Sequence, residues 1–281
     1  MVEDIIFTIS INHREYLLGS PIVVHLEIHN AGSKSVSLLD QLKPEFDVVK
    51  FDIKKENEKF PFRPYTILDA RPHVVSLEPG KSIGDSAKLF YGAQKWTFKS
   101  PGLYLITASY NGLVDEPNKV IQSNEIELEI RAPANKEEKE QVDLITGDEQ
   151  GRFLLFEGGD HLTNGMQNLT ELATKYPDSD LAKYANFSLG ISTSTEFADF
   201  TKNRVRQSDI KKSLTHLEAA KPKLHGYYAK KAYFTLANLY DKSNDKTAKE
   251  NTLSEFVDRF SSDSKFTDSI SKAKNMLEDS S

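Results

Sequence analysis

The sequence contains no cysteine, which excludes disulfide bonds, thiolate metal sites and thiol catalysis. It has no run of eighteen or more apolar residues, so no membrane-spanning helix is predicted. Its first residues, Met1-Val2-Glu3-Asp4, lack the basic and apolar regions of a signal peptide, and we expect no export signal in them. None of these absences decides the cellular compartment.

Positive charge is not in excess in either part of the chain. The net charge is −6, with fifteen Lys and Arg against eighteen Asp and Glu before Ala132, and twenty-one against twenty-four from there on. Nucleic-acid-binding domains usually carry a basic surplus, so we expect no nucleic-acid partner. The 281 residues are 38% hydrophobic and 10% aromatic, which can give each of two domains a core.

Apolar residues alternate with polar ones in the N-terminal part of the chain. In residues 22–30, Val24, Leu26 and Ile28 fall on one face of a predicted strand, and polar residues fall on the other. The same pattern predicts strands at residues 5–11, 36–39, 46–53, 87–91, 103–110 and 126–130. Because Gly, Pro and Asn turns separate these strands and no long helical pattern intervenes, we expect an antiparallel β-sandwich.

Two segments within residues 4–131 resemble immunoglobulin-like domains of bacterial surface and inhibitor proteins. The first, residues 18–30, is a glycine-x-proline turn that leads into a strand ending at asparagine. The second, residues 77–110, contains Tyr104, which resembles the tyrosine that closes a corner of such sandwiches. The resemblance implies an immunoglobulin-like fold for this part of the chain.

A change in composition marks the predicted domain boundary. Residues 132–141 contain a proline, many charged side chains and no large apolar side chain, as is typical of a linker. We therefore predict a β-sandwich at 1–133, a charged linker at 134–141 and an all-α helical repeat domain at 142–281. A solvated helix is expected to begin within the linker, by Glu137.

Beyond the linker the apolar period changes from two to about 3.6 residues, which predicts helices. Two helix types alternate, and the second recurs as residues 182–190 and 229–237. The first type recurs three times, with apolar positions at Leu169, Leu172, Ala173 and Tyr176, then at Leu214, Leu217 and Ala220, and then at Leu253, Phe256, Val257 and Phe260. Alternation of two helix types at a near-constant interval predicts stacked helical hairpins.

These helices resemble tetratricopeptide repeats of bacterial envelope assembly proteins. The resemblance rests on residues 176–180, the Leu189-Gly190 pair and residues 236–240. The period exceeds the usual ~34 residues, and residues 196–208 are interpreted as an insertion. The resemblance implies a surface that binds peptides, and a periplasmic or extracellular location is expected, with a cytoplasmic one as the alternative.

Aromatic side chains on a repeat surface commonly serve peptide recognition. The predicted binding residues are Tyr184, Lys230, Tyr233, Asn238 and Tyr240. No motif of a familiar active site is complete, so no catalytic residue, metal site or cofactor is predicted.

One strand carries residue types that bind metals. His25, Glu27 and His29 project from one face at alternate positions, and three such ligands could converge on a metal ion. An exposed polar strand face explains the same spacing, and we favour it because no fourth ligand is evident nearby.

Three functions fit the pattern. The first is a non-catalytic scaffold whose helical repeats bind a protein or peptide. The alternative is a peptidase inhibitor that acts through residues 56–64 or 91–96 of the sandwich. The third is an envelope hydrolase or carbohydrate-active protein with its site between the two predicted domains, assembled from residues distant in sequence.

Overall fold

A computed structural model describes residues 4–68, 71–199 and 203–278. The chain divides into two compact units, Met1–Lys139 and Glu140–Ser281. The first unit is built mainly of strands and the second mainly of helices, so the predicted order of β followed by α is confirmed. Among the described residues, no helix has the length and hydropathy that crossing a membrane requires.

The first unit, hereafter the β unit, is formed by short strands. In chain order they are β1 (Ile5–Ser10), β2 (Glu15–Leu17), β3 (Val23–Asn30), β4 (Val36–Leu39), β5 (Val49–Lys55), β6 (Glu58–Pro61), β7 (Val74–Leu77), β8 (Ser82–Lys88), β9 (Tyr91–Gly92), β10 (Lys95–Trp96), β11 (Gly102–Tyr110), β12 (Ile121–Gln122) and β13 (Ile126–Arg131).

The strands of the β unit form two principal sheets. One has the order β1-β3-β8, and the other has the order β2-β13-β11-β5-β6, with β12 beside β11. Two further pairs, β4-β7 and β9-β10, lie outside these sheets. Phe7 of the first sheet and Tyr110 of the second are both buried, with ring centroids 6.0 Å apart. The buried faces of the two sheets therefore contribute to one core.

Two predicted strands are displaced in the structure. The strand predicted at 46–53 begins at Val49, because residues 44–46 form a turn of 3-10 helix that starts with Pro44. The strand predicted at 87–91 is instead β8, which ends at Lys88. The sequence of β8, Ser-Ile-Gly-Asp-Ser-Ala-Lys, shows little apolar alternation, and only Ala87 in it is buried.

The second unit, hereafter the helical unit, continues a helix that begins before the boundary. Its helices are α1 (Lys136–Ile145), α2 (Asp148–Phe156), α3 (Thr163–Lys175), α4 (Ala182–Ser194), α5 (Ile210–Ala220), α6 (Gly226–Lys242), α7 (Lys246–Phe260) and α8 (Thr267–Glu278). A short hairpin of β14 (Phe197–Asp199) and β15 (Arg204–Arg206) lies within the predicted insertion. Residues 200–202 of that insertion lie outside the described residues.

Consecutive helices from α2 to α8 pack against one another, and α4 also contacts α2 and α6. Gly190 on α4 permits a close approach of α4 to α5. A Cβ atom at this position would lie 2.6 Å from Cγ of Leu217 on α5. The hydroxyl of Ser213 donates to the Gly190 carbonyl at 2.7 Å, which ties the same two helices together.

The predicted linker 134–141 contains the first residues of α1. The side chain of Asn135 accepts a hydrogen bond from the Glu138 N–H at 2.8 Å, as an N-capping residue does. The Glu138 carboxylate accepts from the Ala134 N–H at 2.7 Å and from Arg131 at 2.7 and 2.8 Å. These bonds fix the start of the helix.

Candidate functional site

The predicted binding residues lie on α4 and α6, and they divide into an exposed group and a buried or half-buried group. Lys230 and Asn238 are exposed on α6, and within the described ranges neither side chain has a hydrogen bond or an ion pair. Tyr184 and Tyr233 are buried, and Tyr240 is half-buried. The structure therefore does not bring the five together on one accessible face.

Tyr184 and Tyr233 pack in the core of the helical unit. The Tyr184 ring meets the Tyr228 ring of α6 edge to face, with centroids 5.2 Å apart. The Tyr233 ring lies 5.4 Å from that of Phe256 and 6.1 Å from that of Phe260, both on α7. Such pairs stabilise helix packing beyond the burial of their area.

Tyr233 and Tyr240 also belong to a polar cluster, here named the Lys221 cluster, with Lys221, Glu218 and Glu255. The Lys221 ammonium lies 2.7 Å from Glu255 and 3.1 Å from Glu218. The Tyr233 hydroxyl donates to Glu255 at 2.6 Å, and the Tyr240 hydroxyl donates to Glu218 at 2.9 Å. Burial and this bond to Glu218 raise the pKa of Tyr240 to about 12. The cluster thus holds α5, α6 and α7 together.

The charges of the Lys221 cluster stabilise one another. Burial disfavours the charged form of Lys221, but the bonds to Glu255 and Glu218 outweigh it and raise the pKa of the ammonium. Burial likewise disfavours ionised Glu255, while its bonds to Lys221 and Tyr233 lower the pKa of that carboxyl overall. Arg259 adds bonds to the Lys221 carbonyl at 2.9 Å and the Leu224 carbonyl at 2.8 Å.

A second polar group, which sequence reasoning did not identify, joins the end of α2 to α6. Glu157 has a side chain only 4% exposed and a left-handed φ of 57°. It accepts a hydrogen bond from the Tyr227 hydroxyl at 2.6 Å and is paired with the Lys231 ammonium. Because some seventy residues separate these partners in the sequence, no local pattern could have predicted the pair.

Strand β3 has the exposed polar face that the sequence predicts. His25 and His29 are partly exposed, and Glu27 is exposed. Each histidine ring bonds to a serine of β8, His25 to Ser86 at 3.1 Å and His29 to Ser82 at 3.0 Å. In the part of the chain that the structure describes, no group of three or more such residues is arranged to hold a metal ion.

The two loops considered for peptidase inhibition adjoin each other. Residues 56–64 contain the β5-β6 turn and the edge strand β6, and residues 91–96 form the β9-β10 hairpin. The Ala93 N–H donates to the Arg63 carbonyl at 2.8 Å. The backbone approaches so closely here that a Cβ on Gly92 would lie 2.2 Å from the same carbonyl oxygen.

Comparison with known proteins gives no family for this chain. No family model and no curated protein matches it. Similar solved structures include a β-glucosidase from Listeria innocua, 15% identical over 44% of this chain and 16% of that one, with a TM-score of 0.25. The alkylpurine DNA glycosylase AlkC from Pseudomonas fluorescens is 11% identical over 46% of this chain and 31% of that one, with a TM-score of 0.29.

A third similar structure is a CARDB domain from Pyrococcus furiosus, solved in complex with di-metal ions. It is 16% identical over 46% of this chain and 87% of that domain, with a TM-score of 0.25. The match spans only about a sixth of the β-glucosidase. These likenesses are too slight to support an argument about fold or function.

Proposed function

We propose that the protein is a non-catalytic scaffold whose helical unit binds an extended peptide or protein segment along α6. The observation that carries this proposal is the exposure of Lys230 and Asn238 without a side-chain partner among the described residues. Lys230 and Asn238 are eight residues apart, which is about 12 Å along the helix axis and roughly the length of four residues of extended peptide. Asn238 can bond both groups of a peptide unit, and Lys230 can bond a carbonyl or a carboxylate.

The packing of the helices supports this proposal. Because α4 contacts α2 and α6 as well as its neighbours in sequence, alternate helices form a layer, as in stacked hairpins. Stacks of this kind offer extended surfaces for partners. We propose accordingly that the helical unit is tetratricopeptide-like.

For the β unit we propose an immunoglobulin-like sandwich. Tyr104 supports it, because its hydroxyl donates to the carbonyl of Ser100, four residues upstream, at 2.8 Å. A tyrosine corner makes a bond of this kind.

A displayed library of random peptides, selected on the full chain, tests the binding proposal. We expect selected peptides to lose at least about tenfold in affinity for the double variant Lys230→Ala/Asn238→Ala, which is about 1.4 kcal/mol. The matched control Lys246→Ala/Asn251→Ala removes the same residue types from exposed positions on α7. Equal affinities for the two double variants would exclude α6 as the binding face.

Peptidase inhibition is a second candidate, favoured by the bond that joins Ala93 to Arg63. A rigid pair of adjoining loops is what a substrate-like inhibitor presents, since preorganisation lowers the cost of binding. The full chain should then inhibit a member of a panel of serine, cysteine and metallopeptidases. Gln94→Asp at the hairpin tip should weaken inhibition, while Asn118→Asp should not, and a panel without inhibition would remove this candidate.

A further inference from the structure

The outer edge of β7 has free backbone groups. On the side of β4 that faces away from β7, the Leu39 N–H and the Ser37 carbonyl bond to residues 112–114. Since donors alternate along a strand, residues 36 and 38 face β7, and they pair there with Leu77 and Val75. The N–H and C=O groups of Val74 and Ser76 therefore face away from β4, and no backbone partner for them is found among the described residues.

This edge lacks the residues that usually block pairing between sheets. The edge strand β6 carries Lys59 and Pro61, and the edge strand β8 carries Asp85 and Lys88. Such residues discourage the addition of another strand. By contrast, the sequence of β7 is Val-Val-Ser-Leu, which contains no charged residue and no proline.

Exposed apolar side chains are concentrated in β7 and in the segment that precedes it in the sequence. Of the ten large hydrophobic residues exposed among those described, four lie between positions 65 and 74. They are Tyr65, Ile67, Leu68, which is 91% exposed, and Val74, which is 52% exposed. Clusters of this kind mark interaction surfaces, whereas exposed hydrophobic residues that occur singly do not.

We propose that β7 pairs antiparallel with β7 of a second copy of this chain. A two-fold axis through Val75 places Val74 opposite Ser76 of the second copy, and Ser76 opposite its Val74. This register satisfies the outward N–H and C=O groups of both residues in both copies. It extends the β4-β7 pair into a four-stranded sheet and covers Val74.

Charge complementarity favours a second copy as the occupant. Arg71 and Glu78 flank β7, both are exposed, and neither has an ion pair within the described ranges. In the proposed register Arg71 of one copy lies next to the position of Glu78 in the other, and the symmetry makes this contact twice. No like charges face each other across residues 74–76, so the pairing meets no repulsion.

Sedimentation equilibrium of the full chain over about 1 to 500 μM tests the dimer, because small interfaces give weak association. We expect a concentration-dependent dimer that Val74→Lys weakens at least tenfold. The control Leu103→Lys changes a side chain that is also 52% exposed but lies on the central strand β11. A monomer at every concentration, or a dimer that Val74→Lys leaves unchanged, overturns the proposal.

Cysteine cross-linking tests the register, since the natural chain has no cysteine. In the proposed dimer the two Cα atoms of residue 75 lie about 4.5 Å apart, within disulfide range. The two Cα atoms of residue 74 are separated by roughly 9 Å, which a disulfide cannot span. Val75→Cys should therefore form a covalent dimer on mild oxidation and Val74→Cys should not. Equal yields from both variants would overturn the register and, with it, the pairing through β7.

Discussion

Tyrosine serves two purposes on α6, and only its surroundings distinguish them. Tyr233 has its ring among the phenylalanines of α7 and its hydroxyl on Glu255, so it is a core residue with one polar contact. Tyr227 is partly exposed, and its hydroxyl reaches the buried Glu157. The sequence shows both only as aromatic residues of a predicted repeat, which is why it predicts Tyr233 to be a binding residue.

Removal of the Lys221 ammonium should destabilise the helical unit. We expect Lys221→Met to lower the free energy of unfolding by about 1 to 3 kcal/mol, because Glu218 and Glu255 lose their shared cation. Urea titration followed by circular dichroism measures this change. Lys230→Met serves as the control and should change stability by less than about 0.5 kcal/mol. Equal stability of Lys221→Met and the natural chain would show that the cluster contributes nothing.

Glu138 should make the stability of the chain depend on pH. The hydrogen bond from Arg131, helped by the Ala134 N–H, lowers the pKa of Glu138 to about 2. A lowered pKa means that the contribution is complete above the unfolded-state pKa, near 4.5, and is lost as the pH falls towards 2. Glu138→Gln should therefore cost about 1 kcal/mol at pH 6 and progressively less towards pH 3.

Denaturant unfolding at several pH values measures the Glu138 contribution. The exposed Glu125 provides the control, because Glu125→Gln removes a carboxylate without a hydrogen-bond or ion-pair partner among the described residues. A cost for Glu138→Gln that stays constant between pH 6 and pH 3 would contradict the assignment.

At the scale of elements, the contact between α4 and α5 depends on the absence of a side chain at Gly190. A Cβ there would lie 2.6 Å from Leu217 Cγ and 3.2 Å from the Leu217 backbone nitrogen. Alanine favours helix by about 1 kcal/mol over glycine, yet overpacking costs about 1 to 3 kcal/mol. We therefore expect Gly190→Ala to destabilise the helical unit in a urea titration, and Ser254→Ala on α7 to be nearly neutral. Increased stability of Gly190→Ala would refute the close approach.

The helices of this protein were easier to predict from sequence than its smaller strands. The apolar period of 3.6 predicted α3, α5 and α7, each of which buries a row of side chains that includes at least one leucine. The Leu189-Gly190 pair is part of the resemblance to helical repeats, and in the structure Gly190 lies at a close contact between α4 and α5. A long, strongly periodic segment can therefore be predicted to be a helix from its sequence alone.

The short edge strands and the polar pairs could not be predicted, for different physical reasons. Strands such as β2 and β6 have three or four residues, too few for an alternation to emerge. Glu157 and Lys231 are paired only because the fold brings together residues that are distant in sequence. Likewise, the exposure of Lys230 and Asn238 follows from which face of α6 the neighbouring helices cover.

At the scale of the whole molecule, each of the two units has a core of its own. The largest fully buried side chains include Phe51, Tyr104 and Tyr110 in the β unit, and Phe153, Phe187 and Phe256 in the helical unit. Since each unit buries its own aromatic residues, each has the main requirement for cooperative unfolding by itself.

The single tryptophan allows this independence to be measured. Trp96 lies in the β unit and packs against Phe90 and Tyr91, so its fluorescence reports that unit, whereas far-ultraviolet circular dichroism reports mainly the helices. We expect Gly190→Ala to lower the urea midpoint seen by circular dichroism and to leave the fluorescence midpoint unchanged. Phe51→Ala, which opens a cavity in the β unit, should do the reverse. If either variant shifts both midpoints together, the two units unfold as one, and effects on one cannot be assigned separately from effects on the other.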